Sequence, residues 1–214
     1  MLLLVDTPEG LAEIYAAELV PQATVLTPNA FEAGLLTGMP CTTEEEGLAA
    51  CAALHAAGPP NVVITSIDQP SSIMLLGSSM NRLAAVNPEN GRRPGERSFR
   101  IDVPKIDHSF GGTGDLLAAL LLAHGTAHPS DWARVARLAV GSVQGVLART
   151  LEARQAGAVA SGGLQLVAST SILMDPQASG SIFSDGWVTK SPAPSRGTPP
   201  WTKLLQGRDG EARE

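Results

Sequence analysis

Cysteine is almost absent from this chain: 214 residues carry two, Cys41 and Cys51, with no CxxC spacing. That excludes a disulfide framework and a cysteine-built zinc site, and two ordinary thiols fit a reducing compartment, the cytosol. Aromatic residues make up only 4% and charged residues 17%, and the net charge is −6. With no basic run and no interleaving of basic and aromatic residues, nucleic acid is not an expected partner. Long hydrophobic runs are missing too. "MLLLV" (1–5) and "LLAALLLA" (116–123) are too short for a signal peptide or a bilayer span, so no membrane partner is expected. Two nucleotide fingerprints are lacking: GxxxxGK followed by Ser or Thr, and a GxGxxG after a strand. No internal repeat is present.

What is there is a 43% hydrophobic chain, enough for a globular core, in which helical and extended patterns alternate. "DTPEGLAEIYAAELVP" (6–21) reads as a helix: Asp6 or Thr7 caps it, Pro8 takes the first turn, and Leu11, Ile14, Tyr15 and Leu19 recur at helical spacing. "ATVL" (23–26) reads as a short strand, and Phe31, Leu35 and Leu36 begin another helical stripe. "EEEGLAACAALHAAG" (44–58) is a helix closed by Gly58 and Pro59. "NVVITS" (61–66) and "SSIMLLG" (71–77) are apolar strands, and "RSFRIDV" (97–103) alternates Phe99, Ile101 and Val103 on one face. Between them, 78–96 is a polar Gly/Pro/Asn loop. Helices follow at 113–124 and at 130–153, the latter with Trp132, Val135, Leu138, Val143 and Val146 inward. From about 156 to 214 the chain turns rich in Gly, Ser and Pro and reads as disordered, with one short strand within 164–173. The pattern points to an α/β fold, helices flanking a mostly parallel sheet.

Three polar clusters follow strands: "TPNAFE" (27–32), "ITS" (64–66) and "GGTGD" (111–115). In α/β sheets ligands gather at the carboxyl ends of strands, so the three can converge. Glycines bare their N–H groups to an anion, and the helix that follows adds a partial positive charge, worth about 0.3–1 kcal/mol near the surface. Such a nest suits a moving phosphoryl group, and Asp115 beside it can take a proton from an attacking hydroxyl. The same residues also make an ordinary capped helix start. Asn29 and Glu32, three apart on one helix face, can order a hydrated Mg2+ against phosphates; equally, they can close a capping pair. Thr27 and Thr65 offer hydroxyl and carbonyl oxygens to a monovalent cation or to phosphates, or are plain strand residues. His108, beside the glycine turn, reads as solvent-exposed or locally bonded, with phosphate contact as the alternative.

Taken in order and spacing, "TPNAFEAGLLTG", "VITS" and "FGGTGDLLAALLLA" resemble the pyridoxal kinases of the ribokinase-like superfamily, with their TPN-x-FEAE-LL-SG, VVITS and F-x-GTGD-LFAA-LLA segments. The likeness runs over about residues 6–155. It implies a partial ribokinase-like domain over 1–155 and ATP-dependent phosphorylation of the 5′-hydroxymethyl group of pyridoxal or a related B6 vitamer. Asp115 matches the catalytic base, and Gly112, Thr113 and Gly114 match the anion hole. Thr27, Asn29, Glu32, Thr65 and Ser66, with Thr113 and Gly114, match positions around ATP. Thr27, Asn29, Glu32 and Thr65 match positions near Mg2+ and a monovalent cation, K+ or Na+. The loop 78–96 falls where the family carries a mobile segment over ATP.

The chain also departs from the pattern. The family has more than a hundred residues ahead of the point matching Met1, and they hold most contacts to the pyridoxal ring. Gly111 stands where the family has an apolar residue, which loosens the turn. An open sheet edge and an uncovered apolar face are expected, hence association, as a homodimer or with a full-length kinase. Two rival readings remain: another ribokinase-like kinase, such as a hydroxymethylpyrimidine kinase, and a non-catalytic fragment that binds a full-length kinase.

Overall fold

The structure, a computed structural model, describes residues 10–80, 97–157, 163–176 and 188–189. Its frame is a four-stranded sheet in the order β1-β2-β3-β4, with β1 Asn61–Asp68, β2 Ser72–Ser79, β3 Arg97–Pro104 and β4 Val188–Thr189. The α/β expectation holds, but the direction of the strands differs from the mostly parallel sheet expected. The described strands pair antiparallel, and the parallel part is the single bridge Leu26–Val62 beside β1. Connection length is the reason. The link 69–71 permits only an antiparallel return, whereas the crossover between 26 and 61 carries two helices and comes back parallel. Of the strand expected at 23–26, only Leu26 joins the ladder: its N–H donates to Asn61 O and Val63 N–H donates to its carbonyl, both at 2.9 Å.

Side chains of the strands alternate between two cores. Val63, Leu75, Phe99, Ile101 and Val103 face α4 Thr113–Ala127 and α5 Trp132–Gln155. Val62, Ile64, Ile67, Met74 and Leu76 face α2 Ala30–Thr37 and α3 Glu44–Ala57. The result is three layers, helix–sheet–helix, with apolar residues on both sheet faces. The long runs "NVVITSID" and "SIMLLGSS" are apolar for that reason.

Local chemistry explains the helices. Thr43 and Glu46 close a capping box at the start of α3, and Glu44, Glu45 and Glu46 in its first turn suit the helix dipole. Asp131 caps α5 by accepting from Arg134 N–H at 3.1 Å. All five residues expected inward on α5 are buried. Gly125 gives α4 room for the Trp132 ring, whose Cη2 would lie 2.7 Å from an added Cβ.

The first helix differs from its expectation. α1 Leu11–Ile14 runs into a π-helical turn, Tyr15–Leu19, and a 3-10 turn, Val20–Gln22; Asp6, Thr7 and Pro8 lie outside the described residues. Helical spacing marks an apolar face but does not tell what covers it. Ile14 and Leu19 are 54% and 50% exposed, and on α2 Phe31 is 58% exposed while Glu32 and Ala33 are buried. In the stretch read as disordered, residues 164–174 lie against α5: Leu164 and Leu173 pack on its core and Gln165 N–H donates to Thr150 Oγ1 at 3.0 Å. The strand expected within 164–173 is instead a 3-10 turn, Val167–Ser169, leading into α6 Thr170–Met174. Thr170 Oγ1 donates to Val167 O at 2.7 Å, so local bonds and α5, rather than a neighbouring strand, satisfy this backbone. Most of the loop expected at 78–96, and most of the stretch from 156 to 214, lies outside the described residues. No described helix is long and apolar enough to cross a membrane.

Candidate functional site

The site is built at one end of the sheet. β1 ends where β2 begins, with Asp68 opposite Ile73, and β3 ends there too, with Pro104 opposite Ser72. A 2.6 Å ion pair between Lys105 Nζ and Asp68 Oδ1 joins the exits of β1 and β3. "TPNAFE" follows the Leu26 bridge and "GGTGD" follows β3 in the chain, whereas "ITS" lies within β1, just ahead of its last pairs.

The first two clusters touch. Pro28 O accepts Thr65 N–H at 2.9 Å, and Thr65 Oγ1 lies 3.4 Å from the same oxygen. Thr65 and Ser66 form a β-bulge. Ile64 pairs with Leu76 and Ile67 with Met74, so two residues of β1 oppose one of β2. Ile64 and Ile67 therefore share a core despite standing three apart. The bulge re-aims Thr65 and Ser66, both half-buried; bulges of this kind are frequent beside active sites. Alternation in the sequence gives no sign of it, because "VVITSI" is apolar on both faces.

Asn29 and Glu32 make a reciprocal capping box at the start of α2. Asn29 Oδ1 accepts Glu32 N–H at 2.8 Å, and Glu32 Oε2 accepts Asn29 N–H at 2.9 Å. Glu32 is 1% exposed, an unusual depth for a carboxylate. Thr27 is half-buried and lines a largely apolar cleft of about 180 Å³ with Tyr15, Leu19, Val25 and Leu36. The glycine turn is not on its wall.

The third cluster starts α4. Gly112 is the N-cap in the left-handed region, φ 82°, and no side chain caps the helix. An uncapped start leaves its first N–H groups for water or a ligand. Asp115, in the first turn, and Gly112 and Gly114 are exposed; Thr113 is half-buried, its Oγ1 donating to Phe110 O at 3.3 Å. The turn is fastened to α5 rather than to the other clusters. Arg154 Nη1 donates to Ser109 O at 3.3 Å, and its guanidinium carbon sits 4.6 Å from the centre of the Phe110 ring. Arg154 escaped the sequence reading, since one arginine in a helical "LEARQ" carries no signal. His108 is exposed, its ring 6.3 Å from that of Phe110.

Among the described residues, no group of three His, Cys, Asp or Glu side chains is placed to hold a metal ion. Cys41 and Cys51 are both buried and free. Burial, with the Glu46 charge adding, pushes the Cys41 thiol up to about 11; burial does the same, more strongly, to Cys51. Neither is a nucleophile at neutral pH.

Residues 7–159 match the phosphomethylpyrimidine kinase family. The chain is 45% identical over 145 residues to a pyridoxal kinase of Arabidopsis thaliana, covering 68% of this chain and 44% of that protein. It is 41% identical over 156 residues to a pyridoxal kinase of Homo sapiens, covering 71% and 48%. It thus spans about half the length of the curated relatives it matches. Among solved structures, pyridoxal kinase of Trypanosoma brucei superposes with a TM-score of 0.67 at 27% identity, over 87% of this chain and 57% of that one. Pyridoxal kinase of Leishmania donovani in complex with ADP and pyridoxamine gives 0.66 at 27% identity, over 79% and 54%.

Proposed function

We propose, for a chain that belongs to the phosphomethylpyrimidine kinase family, the nucleotide-binding and phosphoryl-transfer half of a pyridoxal kinase. The substrate is pyridoxal or a related B6 vitamer, and the donor is ATP. One observation supports this most directly: α4, the helix that follows β3, begins without a side-chain cap and with Asp115 exposed in its first turn. The relatives supply the identity of the ligands, since a pyridoxal kinase of this shape binds ADP with pyridoxamine.

In this reading Asp115 takes the proton of the vitamer's 5′-hydroxyl. The oxygen forms a bond to the γ-phosphorus of ATP, the bond to the β-phosphate oxygen breaks, and ADP leaves. The N–H groups of Gly112, Thr113 and Gly114 meet the charge on the moving phosphoryl group. Thr65 and Ser66, turned by the bulge, contact the ATP phosphates. Asn29 Oδ1 and Glu32 Oε2 each already accept the other residue's main-chain N–H in the capping box. They therefore suit a hydrated Mg2+ reached through water rather than direct ligation. The neutral oxygens of Thr27 and Thr65 suit a monovalent cation, which lowers the negative charge around the phosphates. A cytosolic setting fits the two buried, unpaired thiols.

The test is ATP consumption with pyridoxal by this chain and by Asp115→Asn. Loss of a positioned general base costs about 10²–10⁴ in rate, so turnover should fall by at least a hundredfold. Equal rates in the two proteins overturn the assignment. A second reading, association with a full-length kinase, rests on the exposed Ile14, Leu19 and Phe31. Light scattering alone and with intact kinase decides it.

A further inference from the structure

We propose that Arg154 is the positioning residue of the glycine turn, holding Ser109 and Phe110 so that the N–H groups at the start of α4 keep one direction. The turn has little else to hold it. Gly111 and Gly112 have nothing within 4 Å of where a Cβ would stand, and α4 has no side-chain cap. A glycine pair with no side chains to pack has access to many conformations. The restraint comes from outside the loop, from the last turn of α5, a 24-residue helix seated in the core.

Arg154 grips two consecutive residues in two ways. Nη1 donates to Ser109 O, and the guanidinium carbon lies over the Phe110 ring. Phe110 itself packs on the core, and its carbonyl accepts from Thr113 Oγ1, the first residue of α4. A chain of contacts therefore runs from α5 through Arg154 and Phe110 to the N-terminus of α4. Nη2 of Arg154 is buried without a partner. A guanidinium is seldom left so incompletely bonded, and here the stacking and the Ser109 bond hold it in place. Arg suits this task and Lys does not, because only the planar fork stacks and donates at once.

The inference deepens the proposed phosphoryl-transfer site and rests on that reading for its ligand, but the grip on the turn is measurable without nucleotide. Backbone ¹⁵N order parameters for 109–114 are compared in the free chain, in Arg154→Ala, in Arg154→Lys and in Phe110→Leu. The expected result is a drop below about 0.6 in Arg154→Ala, a smaller drop in Arg154→Lys and in Phe110→Leu, and unchanged values in α5. Titration with Mg–ATP should then show about tenfold weaker binding by Arg154→Ala, with Arg154→Lys in between. Unchanged order parameters in Arg154→Ala overturn the proposal. So does a loosened turn that binds Mg–ATP as well as the parent. If the parent binds no Mg–ATP, the nucleotide reading fails, and the order parameters alone decide whether Arg154 holds the turn.

Discussion

Thr65 donates its main-chain N–H to the carbonyl of Pro28 across 2.9 Å, and this bond ties the bulge of β1 to the residue that leads into α2. Two sequence clusters 37 positions apart thereby become one local structure. Its rigidity depends on the α2 start, where Asn29 and Glu32 exchange bonds. Replacing Asn29 by Ala removes an N-cap and should cost about 1 kcal/mol. Glu32→Ala should cost more, because it empties a buried position and orphans the Asn29 N–H, a penalty of about 1–3 kcal/mol. Denaturant unfolding of the two variants checks the order. The reverse order means that the box is not what holds this corner.

The sheet centre makes a second, independent prediction. Gly77 lies opposite Phe99 on β3, and a Cβ on Gly77 would run into the Phe99 ring. Gly77→Ala should therefore destabilise by about 1–3 kcal/mol through overpacking. In Gly77→Ala with Phe99→Leu the clash is gone, so the double variant should lose less than the two single losses added. Strict additivity would show that the glycine is kept for some other reason.

These two cases mark what the sequence can and cannot disclose. Strands β1, β2 and β3 and helices α3, α4 and α5 were legible because each carries a long apolar pattern with a cap or break at its ends, such as Thr43 before α3. The direction of the strands was not, since apolar runs read alike whether a neighbour is parallel or antiparallel. Burial on α2 was not legible either: spacing groups Phe31 with Leu35, and the structure leaves both exposed while it buries Glu32. In the site, Asn29 with Glu32 and the glycine turn were visible as short motifs. The bulge at Thr65 and the grip of Arg154 were not, because both arise from contacts between distant segments.

The C-terminal end of α4 should give the fold a pH dependence. His124 has its Nε2 buried without a partner, and burial first, then the His128 charge, lowers its pKa from 6.5. A helix C-terminus favours a cation, so burial outweighs the dipole here. The unfolded chain then takes up the proton more readily than the folded one. The stabilisation is complete above about pH 6.5 and is lost as pH falls from there through the lowered folded value. Between pH 7.5 and 5.5 the parent should lose more stability in urea than His124→Gln. Equal losses would assign the pH dependence elsewhere.

The glycine turn allows backbone strain and ligand binding to be separated. Gly112 holds φ 82°, whereas Gly111 is not among the positive-φ glycines, and neither position would meet a neighbour if it gained a Cβ. Gly112→Ala should therefore cost about 1–2 kcal/mol from the left-handed backbone alone, and Gly111→Ala close to nothing. If the amides at the start of α4 hold phosphate, the two variants must also differ in what nucleotide does for them. At a hundred times its Kd, Mg–ATP should stabilise the parent and Gly111→Ala by about 2.7 kcal/mol. Gly112→Ala, its turn driven to another conformation, should gain far less at the same concentration. Thermal unfolding with and without Mg–ATP reads both effects in one experiment. An equal gain in Gly112→Ala would show that the nucleotide is held without these amides, and the anion-hole assignment would have to be withdrawn.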